Sequence, residues 1–214
     1  MKYKYILFDL DGTITESGPG IMNSVEYALN KMNREVGERD TLKKFIGPPL
    51  TESMEKYYGM SKEEALLGVK YYREYYHDKG IYENRVYDGL EEVLKKINEA
   101  GKQAIVATSK PEKYAKIIID HFHLTQYFAC VAGMEMDGGR GTKAQVITYA
   151  LEKNDITDKS KVLMIGDREH DVIGAHENGL DCLSILYGFG SRKEFEEAGA
   201  DYIRENVEDI LQFV

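Results

Sequence analysis

The sequence predicts an α/β fold: an open parallel sheet assembled from both ends of the chain, with an all-helical domain inserted after the first strand. Three observations lead there. A short apolar run, Tyr5-Ile6-Leu7-Phe8, reads as a strand buried on both faces and stops at Asp9-Leu10-Asp11-Gly12-Thr13. From Ile21 to about Tyr87, apolar residues recur at helical spacing without a convincing strand. From Asp88 onward helix and strand patterns alternate, as they do where helices cross over a parallel sheet. Residues 1–14 and 88–214 are assigned to the sheet domain and 15–87 to the helical one.

A chain of 214 residues can bury one good-sized core with a modest insertion. The net charge of −9 offers no clustered Lys and Arg of the kind that nucleic acid requires. No apolar run is long enough to suggest a membrane span. Met1-Lys2-Tyr3-Lys4 leads into a strand and not into a signal-peptide core, so a cytoplasmic protein without nucleic-acid or membrane partners is expected. Cys130 and Cys182 are too few and too far apart for a disulfide framework or a metal site, and both are expected as buried thiols in strands.

The elements follow in order. Thr15-Glu16-Ser17-Gly18-Pro19-Gly20 reads as a hinge, since two glycines and a proline punctuate it. Ile21, Val25, Ala28, Leu29 and Met32 then lie at helix spacing, Leu42, Phe45 and Ile46 begin a second apolar face, and Met54, Tyr57 and Tyr58 follow. Ser61-Lys62-Glu63-Glu64 is a capping box opening a helix that carries Ala65, Val69, Tyr72 and Tyr76. Asp88 is the expected cap of a helix bearing Leu90, Val93, Leu94 and Ile97 and stopping at Gly101. A buried strand from Gln103 to Ala107 ends in Thr108-Ser109-Lys110-Pro111, the proline suiting the first turn of the next helix. Ala129 to Ala132 is a third strand, and the glycine-rich Asp137-Gly138-Gly139-Arg140-Gly141-Thr142 leads into a helix starting near Lys143. Lys161 to Ile165 is a fourth strand, closing on Gly166-Asp167-Arg168-Glu169-His170-Asp171. A fifth strand from Cys182 to Leu186, a Ser191-capped helix ending at Gly199, a short strand from Asp201 to Ile203 and a last helix complete the chain.

Polar residues stand at these strand ends where apolar ones would serve folding equally well. Asp9 and Asp11 follow the first strand, Thr108 and Ser109 the second and Asp167 the fourth, while Lys143 opens the helix after the third. Parallel strands point one way, so their ends gather at the edge where α/β sheets bind ligands. Asp9 and Asp11 share a side in extended chain, and close carboxylates repel unless a proton or cation lies between them. A divalent, oxygen-seeking ion is the simplest answer. Alone, Asp-x-Asp-Gly is also what a turn uses, so the argument rests on the set. Asp167 and Asp171 share a face if the helix begins near Asp167, letting Asp171 back up Asp167 or Lys143; an acid in a first turn also simply favours the helix dipole.

Three carboxylates, a hydroxyl and a lysine suit phosphoryl transfer, because they can hold Mg²⁺ and a phosphate together. A carboxylate can itself be the nucleophile. The run from Gly138 to Lys143 lacks the Gly-Lys-Ser/Thr order of a P-loop.

At Asp9-Leu10-Asp11-Gly12-Thr13, Thr108, Lys143 and Gly166-Asp167 with Asp171, in that order and at those separations, the chain resembles the haloacid dehalogenase superfamily of phosphohydrolases along essentially its whole length. The resemblance implies a Rossmann-like core with a small helical cap, of the phosphoglycolate-phosphatase-like branch. The stretches from Asp167 to Ala175 and from Leu186 to Ser191 are similar to members acting as 5′-nucleotidases or phosphoglycolate phosphatases. It further implies that Asp9 attacks phosphorus and that Asp11 protonates the leaving alcohol, then deprotonates water. Mg²⁺ would be held by Asp9, the Asp11 carbonyl and Asp167, with Asp171 behind the metal. Thr108 and Lys143 would bind phosphoryl oxygens, helped by the N–H groups of Leu10 and Ser109. Glu16 departs from the aspartate that many relatives carry before the cap.

Substrate choice is expected to fall to a cap that closes over the crevice, at Lys44, at Gly47 and Pro48 in the turn from Phe45 to Leu50, and at Arg73. Arg73 sits among tyrosines that also suit a packing helix. The expected partner is a small phosphorylated metabolite, and the expected state a monomer or weak dimer. A phosphomutase with the same core and a non-enzymatic phospho-acceptor of receiver type are the alternatives. The second acid of the opening pair and the helical insertion argue against the latter.

Overall fold

The computed structural model describes residues 2–136 and 139–214. The chain forms two compact units, one of Met1–Thr15 with Val86–Val214 and the other of Glu16–Arg85.

The first unit is built on β1 (Tyr5–Phe8), whose side chains from Ile6 to Phe8 are fully buried. Two-residue strands β2 (Thr15–Glu16) and β3 (Arg85–Val86) pair where the chain passes between units, in a stretch expected to hold no strand; two residues are too few for an alternating pattern to register. In the second unit, α1 (Gly18–Lys31) starts inside the expected hinge, because Pro19 in its first turn is preorganised for a helix. A 3₁₀ segment over Arg39–Phe45 precedes α2 (Leu50–Tyr58) and α3 (Lys62–Tyr75). The capping box at Ser61 is reciprocal: Glu64 N–H donates to the Ser61 hydroxyl at 3.2 Å and Ser61 N–H to the Glu64 carboxylate at 2.9 Å. Val25, Leu29, Leu42, Phe45, Met54 and Ala65 are buried, giving this unit its own core.

The first unit continues with α4 (Leu90–Glu99), β4 (Gln103–Pro111), α5 (Glu112–His121), β5 (Phe128–Met134), α6 (Lys143–Lys153), β6 (Val162–Gly166), α7 (Glu169–Glu177), β7 (Asp181–Ile185), α8 (Arg192–Ala198) and β8 (Tyr202–Arg204). The six long-range strands order as β5-β4-β1-β6-β7-β8, all parallel. Phe8 pairs with Val106 on one side and Ile165 on the other, so the residues following β1, β4 and β6 reach the same edge. The chain leaves β1 toward β4 and returns to its other flank at β6, which makes this edge a topological switch point.

Several local expectations are corrected. The cap of α4 is Gly89 and not Asp88, because φ is +82° there, a conformation glycine adopts freely. Pro111 ends β4 and stands at the N-cap of α5, one residue before the first turn. Helix α7 begins at Glu169, so Asp167 precedes the helix and does not share a turn with Asp171. The last helix is 3₁₀ over Val207–Phe213. Cys182 is buried, but Cys130 is only half-buried. Of the glycine-rich lead to α6, Asp137 and Gly138 lie outside the described residues. Among the described residues, no helix is long and apolar enough to cross a membrane.

Candidate active site

The β1 ladder ends where Asp9 N–H donates to the Ile165 carbonyl at 2.9 Å, and the chain then folds into a tight loop. The Leu10 carbonyl accepts from Thr13, Ile14 and Thr15 N–H groups, and Gly12 takes φ +85°. This loop leaves Asp9 and Asp11 buried at the sheet edge, at 5% and 8% exposure.

Lys143, the first residue of α6, reaches across to them. Its ammonium lies 2.7 Å from Asp9 Oδ1, 2.6 Å from Asp171 Oδ1 and 3.0 Å from the Ala107 carbonyl oxygen. Thr142 caps α6 through its hydroxyl and thereby fixes where the helix starts. Gly174 of α7 leaves room for the lysine stem, since a Cβ there would lie 2.7 Å from Lys143 Cγ. The second carboxylate oxygen of Asp171 accepts from Arg168 N–H at 3.1 Å.

Asp167 completes the group. Asp9, Asp167 and Asp171 each offer a carboxylate oxygen, and these atoms lie within 4.8 Å of one another. Phe189 N–H donates to Asp167 Oδ2 at 2.7 Å, whereas Asp167 Oδ1 is buried with no hydrogen-bond partner among the described residues. Glycines surround this carboxylate: a Cβ on Gly12 would lie 2.0 Å from Asp167 Oδ2, and one on Gly188 2.4 Å from Asp167 Cβ. The Thr108 hydroxyl acts on Asp9, opposing the rise that burial imposes on its carboxyl, and Thr108 is itself buried, while Ser109 is half-buried.

The electrostatics follow from packing three acids into so little space. Burial, then the Asp171 and Asp9 charges, push the Asp167 carboxyl well above its ordinary range. Burial also raises Asp9, with Asp171 adding to the rise and Lys143 and Thr108 opposing it. Burial alone would lower the Lys143 ammonium, but Asp171 and Asp9 together hold it above its usual range.

The structure thus brings together Asp9, Thr108, Lys143, Asp167 and Asp171, with Leu10, Asp11 and Ser109 beside them in chain. Lys44, Gly47, Pro48 and Arg73 belong to the other unit, where Lys44 Nζ lies 4.3 Å from the Tyr57 ring centroid and Arg73 is half-buried on α3. Sequence reasoning missed two participants. Lys110 reaches Asp11 Oδ2 at 2.5 Å, and the only sequence signal was its place two residues after Thr108. The Phe189 contribution is a backbone N–H, which no residue type advertises.

A family model described as haloacid dehalogenase-like hydrolase matches residues 6–185. A Pseudomonas aeruginosa protein named 5′-nucleotidase is 41% identical over 194 residues, covering 91% of this chain and 87% of its own. A Mycobacterium tuberculosis protein named tyrosine-protein kinase PtkA is 38% identical over 186 residues, covering 86% of this chain but 62% of its own. A crystal structure described as a predicted phosphatase from Clostridium acetobutylicum superposes with a TM-score of 0.95 at 45% identity, covering 99% of this chain and 98% of that one.

Proposed function

The chain belongs to the haloacid dehalogenase-like hydrolase family as a phosphoric monoester hydrolase, and we propose that it hydrolyses a small phosphorylated metabolite through an aspartyl phosphate on Asp9. A nucleoside 5′-monophosphate and phosphoglycolate are the first substrates to test. The observation that carries this reading is the buried Asp9–Lys143–Asp171 chain beside Asp167: a carboxylate held in one orientation by an ammonium, at the mouth of a parallel sheet.

The donor set suits Mg²⁺. Oxygen ligands are what that hard cation takes, and Asp167 Oδ1 is a buried carboxylate oxygen in need of a positive partner. Asp9, the Asp11 carbonyl and Asp167 would hold the ion. Asp171 has one oxygen on Lys143 and the other on Arg168 N–H, which supports a role behind the metal. Bound there, the ion would offset charge on the phosphoryl oxygens.

The protein's own residues divide the remaining work. Asp9 attacks phosphorus, oriented by Lys143 and Thr108. Lys143, paired with Asp9, and the Thr108 hydroxyl would meet the phosphoryl oxygens, with Leu10 and Ser109 N–H groups as helpers. Asp11 gives a proton to the leaving oxygen and later takes one from the water that frees phosphate.

The test is D9N, expected to abolish turnover of 4-nitrophenyl phosphate in Mg²⁺; undiminished turnover would remove the nucleophile. A phosphate-release screen over nucleoside monophosphates, phosphoglycolate, pyrophosphate and sugar phosphates then ranks substrates. A second reading, transfer from Asp9 to a hydroxyl acceptor, is favoured by the likeness to PtkA. Phosphate appearing on an added acceptor faster than in solution would select it.

A further inference from the structure

We propose that Lys110 is a positioning residue for Asp11, an inference that rests on the phosphatase reading above and deepens it. The pair is buried: Lys110 Nζ lies 2.5 Å from Asp11 Oδ2, with 5% of the lysine side chain and 11% of the aspartate side chain exposed. A lysine is rarely buried unless paired.

The backbone aims this lysine. Between the pairs Thr108↔Gly133 and Pro111↔Met134, β4 carries two residues more than β5, and these are Ser109 and Lys110. Such bulges re-aim side chains beside sites. Gly133 makes the bulge possible, since a Cβ there would lie 2.6 Å from the Lys110 carbonyl oxygen and 2.7 Å from Glu112 N. Lys110 N–H donates back to the Thr108 hydroxyl at 3.2 Å, tying the bulge to a second buried residue at the end of β4.

The consequence is a carboxyl group with two unequal oxygens. Oδ2 faces an ammonium that can only donate, and Oδ1 is buried with no hydrogen-bond partner among the described residues. Oδ1 is therefore the oxygen left to exchange a proton with the substrate. As the bond from Asp9 to phosphorus forms and the bond to the leaving group breaks, the Asp11 carboxyl gives a proton from Oδ1 to the departing oxygen. In the second step Oδ1 takes a proton from water as the water oxygen bonds to phosphorus and the bond from Asp9 to phosphorus breaks, releasing phosphate and regenerating the free Asp9 carboxylate. Without Lys110 the carboxyl torsion, intrinsically broad, is free to turn Oδ1 away.

Leaving-group dependence reads this out, because a poor leaving group needs the proton and a good one does not. In the Mg²⁺-loaded enzyme, kcat/KM is measured on phenyl phosphate and 4-nitrophenyl phosphate for wild type, D11N, K110M and K110R, with melting curves for each. K110M is expected to lose at least about tenfold more on phenyl phosphate than on 4-nitrophenyl phosphate. D11N should discriminate at least as strongly, and K110R should recover part of the ratio. Equal losses of K110M on both substrates, with D11N still discriminating, would overturn the role of Lys110 alone. A D11N enzyme that does not discriminate would overturn the acid role of Asp11 itself. If K110M does not fold, K110Q is read by the same ratio, and a wild-type ratio there overturns the proposal.

Discussion

At the scale of single residues, the site is a concentration of buried acid, and its titration gives a sign that can be checked. Asp9 and Asp167 hold protons more tightly folded than unfolded, because burial and neighbouring carboxylates raise both. Between the ordinary aspartate range, about 3.9, and the raised folded values, the native state binds more protons, so stability falls as pH rises through that window. Lys143, held above its ordinary range by Asp171 and Asp9 against the pull of burial, adds stability that is lost only as pH rises through its own folded value. In chelator, the urea midpoint should fall across the acid window, and D167N should flatten that fall. At pH 7 without metal, D167N should be more stable than wild type by about 1–3 kcal/mol, since it removes an acid whose ionisation is opposed by burial and by its neighbours, and keeps an oxygen for Phe189 N–H. A midpoint that rises with pH across the window would contradict this. These acids were legible in the sequence because polar residues recur at the ends of several apolar runs that parallel pairing brings to one sheet edge. Lys110 was not, since a lysine in a polar loop is ordinarily solvated, and only the bulge of β4 turns it inward.

At the scale of elements, strands and helices with a clear period were legible, and their ends were decided by conditions that no pattern carries. The capping box at Ser61 could be read from residue types because side chains make it. The cap at Gly89 could not, because it depends on a positive φ, and a nearby aspartate offered a false candidate. The start of α7 at Glu169 similarly follows from its cap, where Arg168 N–H donates to the Asp171 carboxylate, and this leaves Asp167 before the helix, accepting from Phe189 N–H. Two substitutions separate these kinds of control. S61A should lower stability by about 1 kcal/mol, seen as a fall in Tm. G12A should do more: alanine at φ +85° is strained, and its Cβ would lie 2.0 Å from Asp167 Oδ2. Strain of about 1–3 kcal/mol is expected with a loss of turnover, and G12A turning over 4-nitrophenyl phosphate like wild type would show that the loop does not hold Asp167 in place.

At the scale of the whole molecule, the parallel sheet gathers like charges that the chain keeps far apart in sequence. Asp9 and Asp11 come from the end of β1, Asp167 from the end of β6 and Asp171 from α7; Lys110 pairs with Asp11, Lys143 is shared by Asp9 and Asp171, and the Arg168 charge only partly opposes the rise of Asp167. The fold therefore stores repulsion at one edge of the sheet in the metal-free protein, relieved by a proton or by a cation. Anything that binds the native state and not the unfolded chain stabilises by mass action, about 2.7 kcal/mol at a hundredfold excess over Kd. For a chain of this size that corresponds to a rise in Tm of about 5–10 °C. Titrating chelated protein with Mg²⁺ should give such a rise, and D167N should lose more of it than K110M does, since Asp167 is one of the three clustered acids whereas Lys110 pairs with Asp11 Oδ2. An unchanged Tm in the wild type at high Mg²⁺ would remove the cation from the site, and an equal rise in D167N would place it elsewhere on the molecule.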